Sequence, residues 1–496
     1  MNYRRSVGAI LSTAALIAAM SPVAAFAKTS GTDVADSPIT ITGLTKGDTV
    51  TAYQVFDADI DAANNLTYTA ATGLPEAYNT PEKLTALTTD EQKKAAGDAY
   101  SQAFTKENPA TPANNHTATG TANDSGQATL TLDSGYWVVV VTSTSGTTKV
   151  FQPTTVDASP VAGTDGKYSS KVLQSQEVKN EPVNVKKGVG TEYKEKTDQY
   201  TVGQDVPFKV TTNVPNYPAD SKDATFTVND KPTAGLKIKT DTIKVTVGTT
   251  TVWENGAKTA EGAAAFKEAS TTQAENGYTF DFAKEFVLAH PGEAVEITYE
   301  ATLTSDAFSH SATDVTGNTA TVTFNPNPYS DSTVTPNKTT KVQTYGYVFP
   351  KTDKGQNALE GAVFTLYDAN GANEIKDENG NTITSTSTIV GGKAYVWFED
   401  LGAGTYTAKE TTVPAGKQKA QDVQFTVNES TATADNPATT DVTENNYLVS
   451  TTSVIDPDQP LLPVTGDAGT IAITVGGLAL VGAACVVASR GLKRSK

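Results

Sequence analysis

Apolar and polar residues alternate in short runs along most of the chain. Ala128-Thr129-Leu130-Thr131-Leu132, Trp137 to Val141, Thr225 to Val228, Val295 to Tyr299 and Thr319 to Phe324 are rich in β-branched and aromatic residues. A period of two in such runs predicts half-buried strands. Gly, Asn and Asp turn signals separate the runs, and many short strands of this kind predict a mainly β chain of tandem Ig-like sandwiches. The tryptophans Trp137, Trp253 and Trp397 all fall in strand-like runs and are read as packing residues. One segment departs from the pattern. Thr88 and Glu91 have the spacing of a capping box. Ala96, Ala99, Tyr100, Ala103 and Phe104 then follow helical spacing. A helix packed on the first β domain is expected there.

Pro-rich joints divide the body. Glu181-Pro182 closes a first domain, Asn325-Pro326-Asn327-Pro328 ends a second, and Ser330 to Thr340 links to a third. Asp456-Pro457-Asp458-Gln459-Pro460 leads out of the last domain. The expected plan is 28–181, 182–335 and 336–461, each long enough for its own core.

The two ends read as addresses. Arg4-Arg5, the apolar stretch Val7 to Met20 and the small-residue site Ala25-Phe26-Ala27 predict a secretory signal peptide over 1–27. At the far end, Leu462-Pro463-Val464-Thr465-Gly466 precedes an apolar run, Ile471 to Ser489, and a basic tail, Arg490 to Lys496. The run is long enough to cross a bilayer and the tail marks its cytoplasmic side. The ordered set over 462–496 resembles the cell-wall sorting signal of Gram-positive surface proteins. That resemblance implies cleavage by a sortase between Thr465 and Gly466, transfer of Thr465 to an amine, anchoring to peptidoglycan, and membrane attachment only before sorting.

Composition narrows the chemistry. The chain has one Cys, two Met and three His, and a formal net charge of −17. Cys485, Met1 and Met20 all lie in the end segments, so the processed chain has no disulfide option and no cysteine metal site. No lipobox Cys is present. The acidic balance argues against nucleic acid as a partner. Asp57, Asp59 and Asp61 have the spacing of a calcium loop, but Ala62 and Tyr68 stand where Gly and Glu are required, so no metal is assigned. No cofactor motif and no Ser-His-Asp pattern emerges.

The most informative feature is charged residues in phase with apolar ones. Val183, Val185, Lys187 and Val189 share one face of a strand, with Lys186 as the neighbouring alternative to Lys187. Phe226, Val228 and Asp230 share another, as do Asn318, Ala320, Val322 and Phe324. In the third domain Tyr347, Phe349 and Lys351 are in phase, and so are Val454 and Asp456, with Glu410 between them in sequence. Periodicity alone leaves ordinary buried ion pairs or edge lysines as the plainer reading. The alternative is chemical. A desolvated lysine becomes a neutral amine and a nucleophile. A carboxylic acid whose pKa is raised by burial polarises the acceptor carbonyl and shuttles protons. Attack on Asn318 would release ammonia, and attack on Asp456 would release water.

Phe349-Pro350-Lys351-Thr352-Asp353, Leu359 to Tyr367, and Tyr406 to Gly416 (the pattern YxxxETxxPxG) resemble the collagen-adhesin B-type (Cna-B) domain over about 340–460. The resemblance implies Lys351 as isopeptide lysine, Glu410 as catalytic acid and Asp456 as acceptor, with Asn445 and Asn446 as competing acceptors. VNVKKGVG, NDKPTAGL and GNTATVTFNPNP in 182–328 look like the isopeptide-forming middle domain of fimbrial backbone subunits. That likeness implies Lys187, Asp230 and Asn318 as nucleophile, proton shuttle and acceptor. The whole plan resembles a sortase-assembled major pilin, a structural subunit rather than an enzyme, joined to copies of itself and exposed on the cell surface. In that family a pilin-motif lysine, typically within YPKN, receives the sorting-signal Thr. Here the matching place reads Glu177-Val178-Lys179-Asn180, with Tyr and Pro missing, which implies Lys179 as the linkage lysine and leaves Lys171 as a fallback. The alternative is a monomeric wall-anchored adhesin, or a tip or base pilin, binding a host glycan or matrix protein.

Overall fold

The computed structural model describes residues 36–460, apart from 62, 106–108, 145, 222, 272–275, 309–314 and 440–444. The signal peptide, the Leu462–Gly466 motif, the apolar run and the basic tail lie outside the described residues, as do Ala62 and His310. Among the described residues no helix is long and apolar enough to cross a membrane.

The first domain stacks two sheets and a helix. A three-stranded sheet holds Ser37–Thr42 between Gln176–Glu177 and Ala128–Leu132. A five-stranded sheet is built around Thr49–Ile60 and Gly135–Ser143. The continuous apolar run at Trp137 to Val141 has a physical reason. Trp137, Val139 and Val141 face the small sheet, whereas Val138 and Val140 face Tyr100 and Phe104 of the helix Asp90–Thr105. A strand covered on both faces has no polar side to show. The helix lies where expected, but its capping box is shifted by one residue from Thr88 and Glu91. Thr89 Oγ1 accepts from the Gln92 backbone at 3.2 Å, and Gln92 Oε1 accepts from the Thr89 backbone at 3.1 Å. Thr89→Ala is expected to cost about 1 kcal/mol of first-domain stability, read by thermal denaturation.

The middle domain is a sandwich with one core. One sheet carries the opening strand Lys186–Val189, then Asp205–Asn213 and Ala294–Leu303. The facing sheet carries Phe226–Pro232, Thr316–Phe324 and Asn337–Val342. Asn337–Val342, assigned from sequence to the link and the third domain, is therefore the last strand of the middle sandwich. Only Thr340 and Val342 of its residues are buried, which is why it looked like a linker. A short helix, Lys284–Ala289, was not anticipated; its N-terminus has no side-chain cap to announce it.

The third domain pairs Tyr345–Asp353 antiparallel with Lys393–Leu401 and parallel with both Tyr447–Val449 and Val454–Asp456. Val363–Asp368 and Gly404–Thr412 lie in the opposing sheet. Its joint to the middle domain is tight. Thr201 Oγ1 and the Tyr406 hydroxyl are 2.6 Å apart, and Gly402 donates to Thr201 Oγ1 at 3.0 Å. A Cβ on Gly402 would come within 2.7 Å of the Tyr200 backbone, and one on Gly203 within 2.3 Å of the Lys376 carbonyl oxygen. Glycine is required at both places because backbone meets backbone.

Candidate cross-linking sites

Two buried pockets gather the in-phase charged residues. In the middle domain the opening strand buries Lys187 and leaves Lys186 exposed, as the alternation with Val183 and Val189 requires. Asp230 and Asn318 are fully buried on neighbouring strands of the opposite sheet. Lys187 and Asn318 thus face each other across the sandwich, and Asn318 sits on the penultimate strand rather than the last.

The Lys187 ammonium forms an ion pair with Asp230 and donates to the Tyr299 hydroxyl at 2.9 Å. It also lies 5.4 Å from the centre of the Phe208 ring, which stacks on Tyr299. Tyr299 donates to Asp230 Oδ1 at 2.9 Å and accepts from Asn318 Nδ2 at 2.8 Å. Asn318 Oδ1 is buried without a partner. Burial drives both ionisable groups toward neutrality. It pushes Lys187 below the usual lysine range, against the pull of Asp230. It pushes Asp230 up, against Lys187, Tyr299 and Asn318. Both shifts favour moving a proton from nitrogen to oxygen, which leaves a neutral amine beside a carboxylic acid. Sequence reasoning missed Tyr299. Its only signal was a hydroxyl-bearing residue in phase with Val295 and Ile297, a pattern that ordinary core tyrosines share.

In the third domain Lys351, Asp456 and Glu410 converge between the two sheets. Lys351 Nζ is 2.5 Å from Asp456 Oδ1, with both side chains fully buried. The parallel pairing of Lys351 with Val454 sets this contact, because Asp456 then lies two residues along on the same face. Glu410 Oε2 accepts from the Ala420 backbone at 2.6 Å, while Oε1 is buried without a partner. Burial and, to a smaller extent, Asp456 raise Glu410 to about 7 against the opposing pull of the Ala420 amide and Lys351. Near neutral pH Glu410 is therefore partly protonated and can donate to an acceptor carboxyl. The competing asparagines point elsewhere. Asn445 is exposed, and Asn446 donates to the Thr344 carbonyl at 2.6 Å.

The other singled-out residues stand apart from these pockets. Asp61 accepts from the backbone of Ala63 and Asn65, both at 2.8 Å, and Asp57 accepts from Gln54 and Asn114. Those carboxylates cap turns and loops rather than converge. Lys171 is tied to buried Asp157 at 2.7 Å. Lys179 is partly exposed, and its backbone carbonyl accepts from Gln152 at 2.8 Å. Its ammonium makes no hydrogen bond or ion pair among the described residues.

These observations define a class first. The chain is a row of β-sandwiches, two of which bury a lysine against a carboxylic acid. Residues 346–441 match the family model of the SpaA prealbumin-like fold domain. No curated protein matches the chain. Among solved structures, the T6 backbone pilin of serotype M6 Streptococcus pyogenes is similar at a TM-score of 0.65 and 16% identity, covering 87% of this chain and 100% of that one. The full-length major pilin SpaD of Corynebacterium diphtheriae gives 0.54 and 16%, over 87% and 100%. The major pilin SpaA of the same organism gives 0.51 and 16%, over 86% and 100%. The chain therefore has the fold of Gram-positive major pilins, with a SpaA-type domain as its third unit.

Proposed function

We propose that this chain is the shaft subunit of a covalently polymerised, cell-wall-anchored pilus, stiffened by Lys187–Asn318 and Lys351–Asp456 amide bonds. The observation that carries the reading is the pair of buried lysine–acid pockets within a fold shared with backbone pilins along most of the chain. Each pocket presents an amine, an acid and an acyl acceptor, so each needs only one turnover and no cofactor. Asp230 and Glu410 act as the proton-shuttling acids. SpaA, one of the structural neighbours, is described as a modular pilus assembly with stabilising isopeptide bonds. A sortase would cut the Leu462-Pro463-Val464-Thr465-Gly466 signal after Thr465 and pass the chain to the next copy and finally to peptidoglycan.

Lys179 is the proposed acceptor on that next copy. Its unpaired ammonium contrasts with Lys171, which an acceptor role would have to strip from a buried carboxylate. Co-expression with the cognate pilin sortase tests this. Wild type is expected to give an SDS-resistant ladder of high-mass species and Lys179→Ala only monomer. A full ladder from Lys179→Ala rules out Lys179, and no ladder from wild type supports a monomeric adhesin instead.

A further inference from the structure

We propose that Tyr299 is a fourth catalytic residue of the middle-domain cross-link, its hydroxyl carrying a proton from Lys187 Nζ to the departing Asn318 Nδ2. This rests on the cross-linking reading above and assigns a step that the lysine, the acid and the acceptor leave open.

The proton balance shows the gap. Lys187 enters as an ammonium with three protons and ends as an amide nitrogen with one. The C–N bond to Asn318 Nδ2 breaks, the Nζ–C bond forms, and ammonia leaves. Of the two protons lost from Nζ, the first goes to Asp230 across their ion pair and generates the amine. Asp230 then holds that proton and lies beside Asn318 without an aligned hydrogen bond, and a proton still has to reach Nδ2 for ammonia to depart. Lys187 is 5% exposed, Asp230 and Asn318 are fully buried and Tyr299 is 3% exposed, so bulk water does not reach the reacting atoms and a neighbouring hydroxyl is the carrier at hand.

Tyr299 is placed for that transfer. A phenol hydroxyl has one donor and two acceptor positions, and all three are occupied here by reacting partners. Lys187 Nζ and Asn318 Nδ2 donate to it at 2.9 and 2.8 Å, and it donates to Asp230 Oδ1 at 2.9 Å. It therefore touches both the nitrogen that loses the proton and the nitrogen that gains it. Burial and the Asp230 charge hold this phenol well above its ordinary value. Once Asp230 is protonated and Nζ has added to the Asn318 carbonyl carbon, the hydroxyl turns its hydrogen to the now basic Nδ2 and accepts one from Nζ in the same step, with no phenolate. Stacking on Phe208 at 5.3 Å and edge contact with Tyr278 at 5.4 Å fix the ring. Tyr278 supplies an internal control. Its hydroxyl also lies beside Asp230, without an aligned hydrogen bond, and it bonds to neither reacting nitrogen.

The test is a time course of cross-linking in the full processed chain. The chain is made by cell-free synthesis, quenched in denaturant at intervals, and assayed for ammonia loss and for the linked Lys187–Asn318 peptide by mass spectrometry. Tyr299→Phe keeps the ring and removes the relay. General acid–base groups contribute about 10²–10⁴-fold, so it is expected to slow cross-linking by about 10²-fold or more with a native near-UV circular dichroism spectrum. Tyr278→Phe should stay close to the wild-type rate. A wild-type rate in Tyr299→Phe, or equal slowing by both variants, overturns the proposal. Should Tyr299→Phe fail to fold, difluorotyrosine at 299 decides: it keeps the ring and the hydroxyl but alters the phenol's acidity, so the rate at fixed pH should change, and an unchanged rate overturns the relay. Lys187→Ala separates the two layers of the argument. If it still loses ammonia, the cross-link assignment itself has failed; if it does not, Tyr299 is judged by its own variants.

Discussion

Asp230→Ala is expected to yield a processed chain heavier by one ammonia, after allowing for the substitution, with a middle domain close to unfolding. Two losses combine. The proposed Lys187–Asn318 amide would close a loop of more than a hundred residues, and in the chain-entropy model such a closure is worth about 4–5 kcal/mol. The variant also leaves Lys187 buried without its counter-ion, and breaking one side of a buried pair costs about 3–5 kcal/mol. Together these approach the whole margin of an ordinary domain, about 5–15 kcal/mol. Intact mass and limited proteolysis check the two halves separately. The wild-type chain should be short by one ammonia and one water. A wild-type mass without either deficit rejects both bonds at once, and an Asp230→Ala chain that still lacks ammonia rejects Asp230 as the shuttle.

Lys351→Ala should retain the water lost by wild type and make third-domain stability fall with rising pH. The sign follows from Glu410. Its carboxyl sits near 7 in the fold against an ordinary value of 4.5, and Lys351 is one of the groups holding it down. Without Lys351 it rises further, beside an Asp456 that no longer has a cation. Between about pH 4.5 and pH 7 the folded chain then binds a proton that the unfolded chain has released, so stability declines as pH climbs through that window. The third-domain melting temperature of the variant should be higher near pH 5 than near pH 8, with a weaker trend in wild type, where the proposed cross-link would consume Asp456 as a neutral amide. A flat profile in the variant would show that Glu410 is not the dry, proton-holding group described.

Much of this arrangement was legible in the sequence because strands have a strict period of two. Phase favours Lys187 over its alternative Lys186 and puts Asp230, Asn318, Lys351 and Asp456 on core faces, and the structure decides between the lysines by burying Lys187 and exposing Lys186. Phase does not say which faces meet. That Lys187 and Asn318 lie in opposite sheets depends on the topology of the sandwich, and the role of Tyr299 appears only once the two sheets close on it. The boundary at 335 failed for a related reason. Asn337–Val342 is held by backbone ladder bonds and little buried apolar surface, so its side chains carry almost no signal. The helix start was misread by one residue because Thr88-Thr89-Asp90-Glu91-Gln92 offers two overlapping capping boxes, and local spacing does not choose between them.

The joint at Gly203 and Gly402 bears on how a string of such chains would flex. Side chains between domains act as bearings, because a change of rotamer absorbs a tilt. Here the peptide backbones touch directly, pinned by Thr201 and Tyr406. Bending at this point has to compress atoms already in contact or pull hydrogen bonds apart. The middle and third domains would then move as one rod.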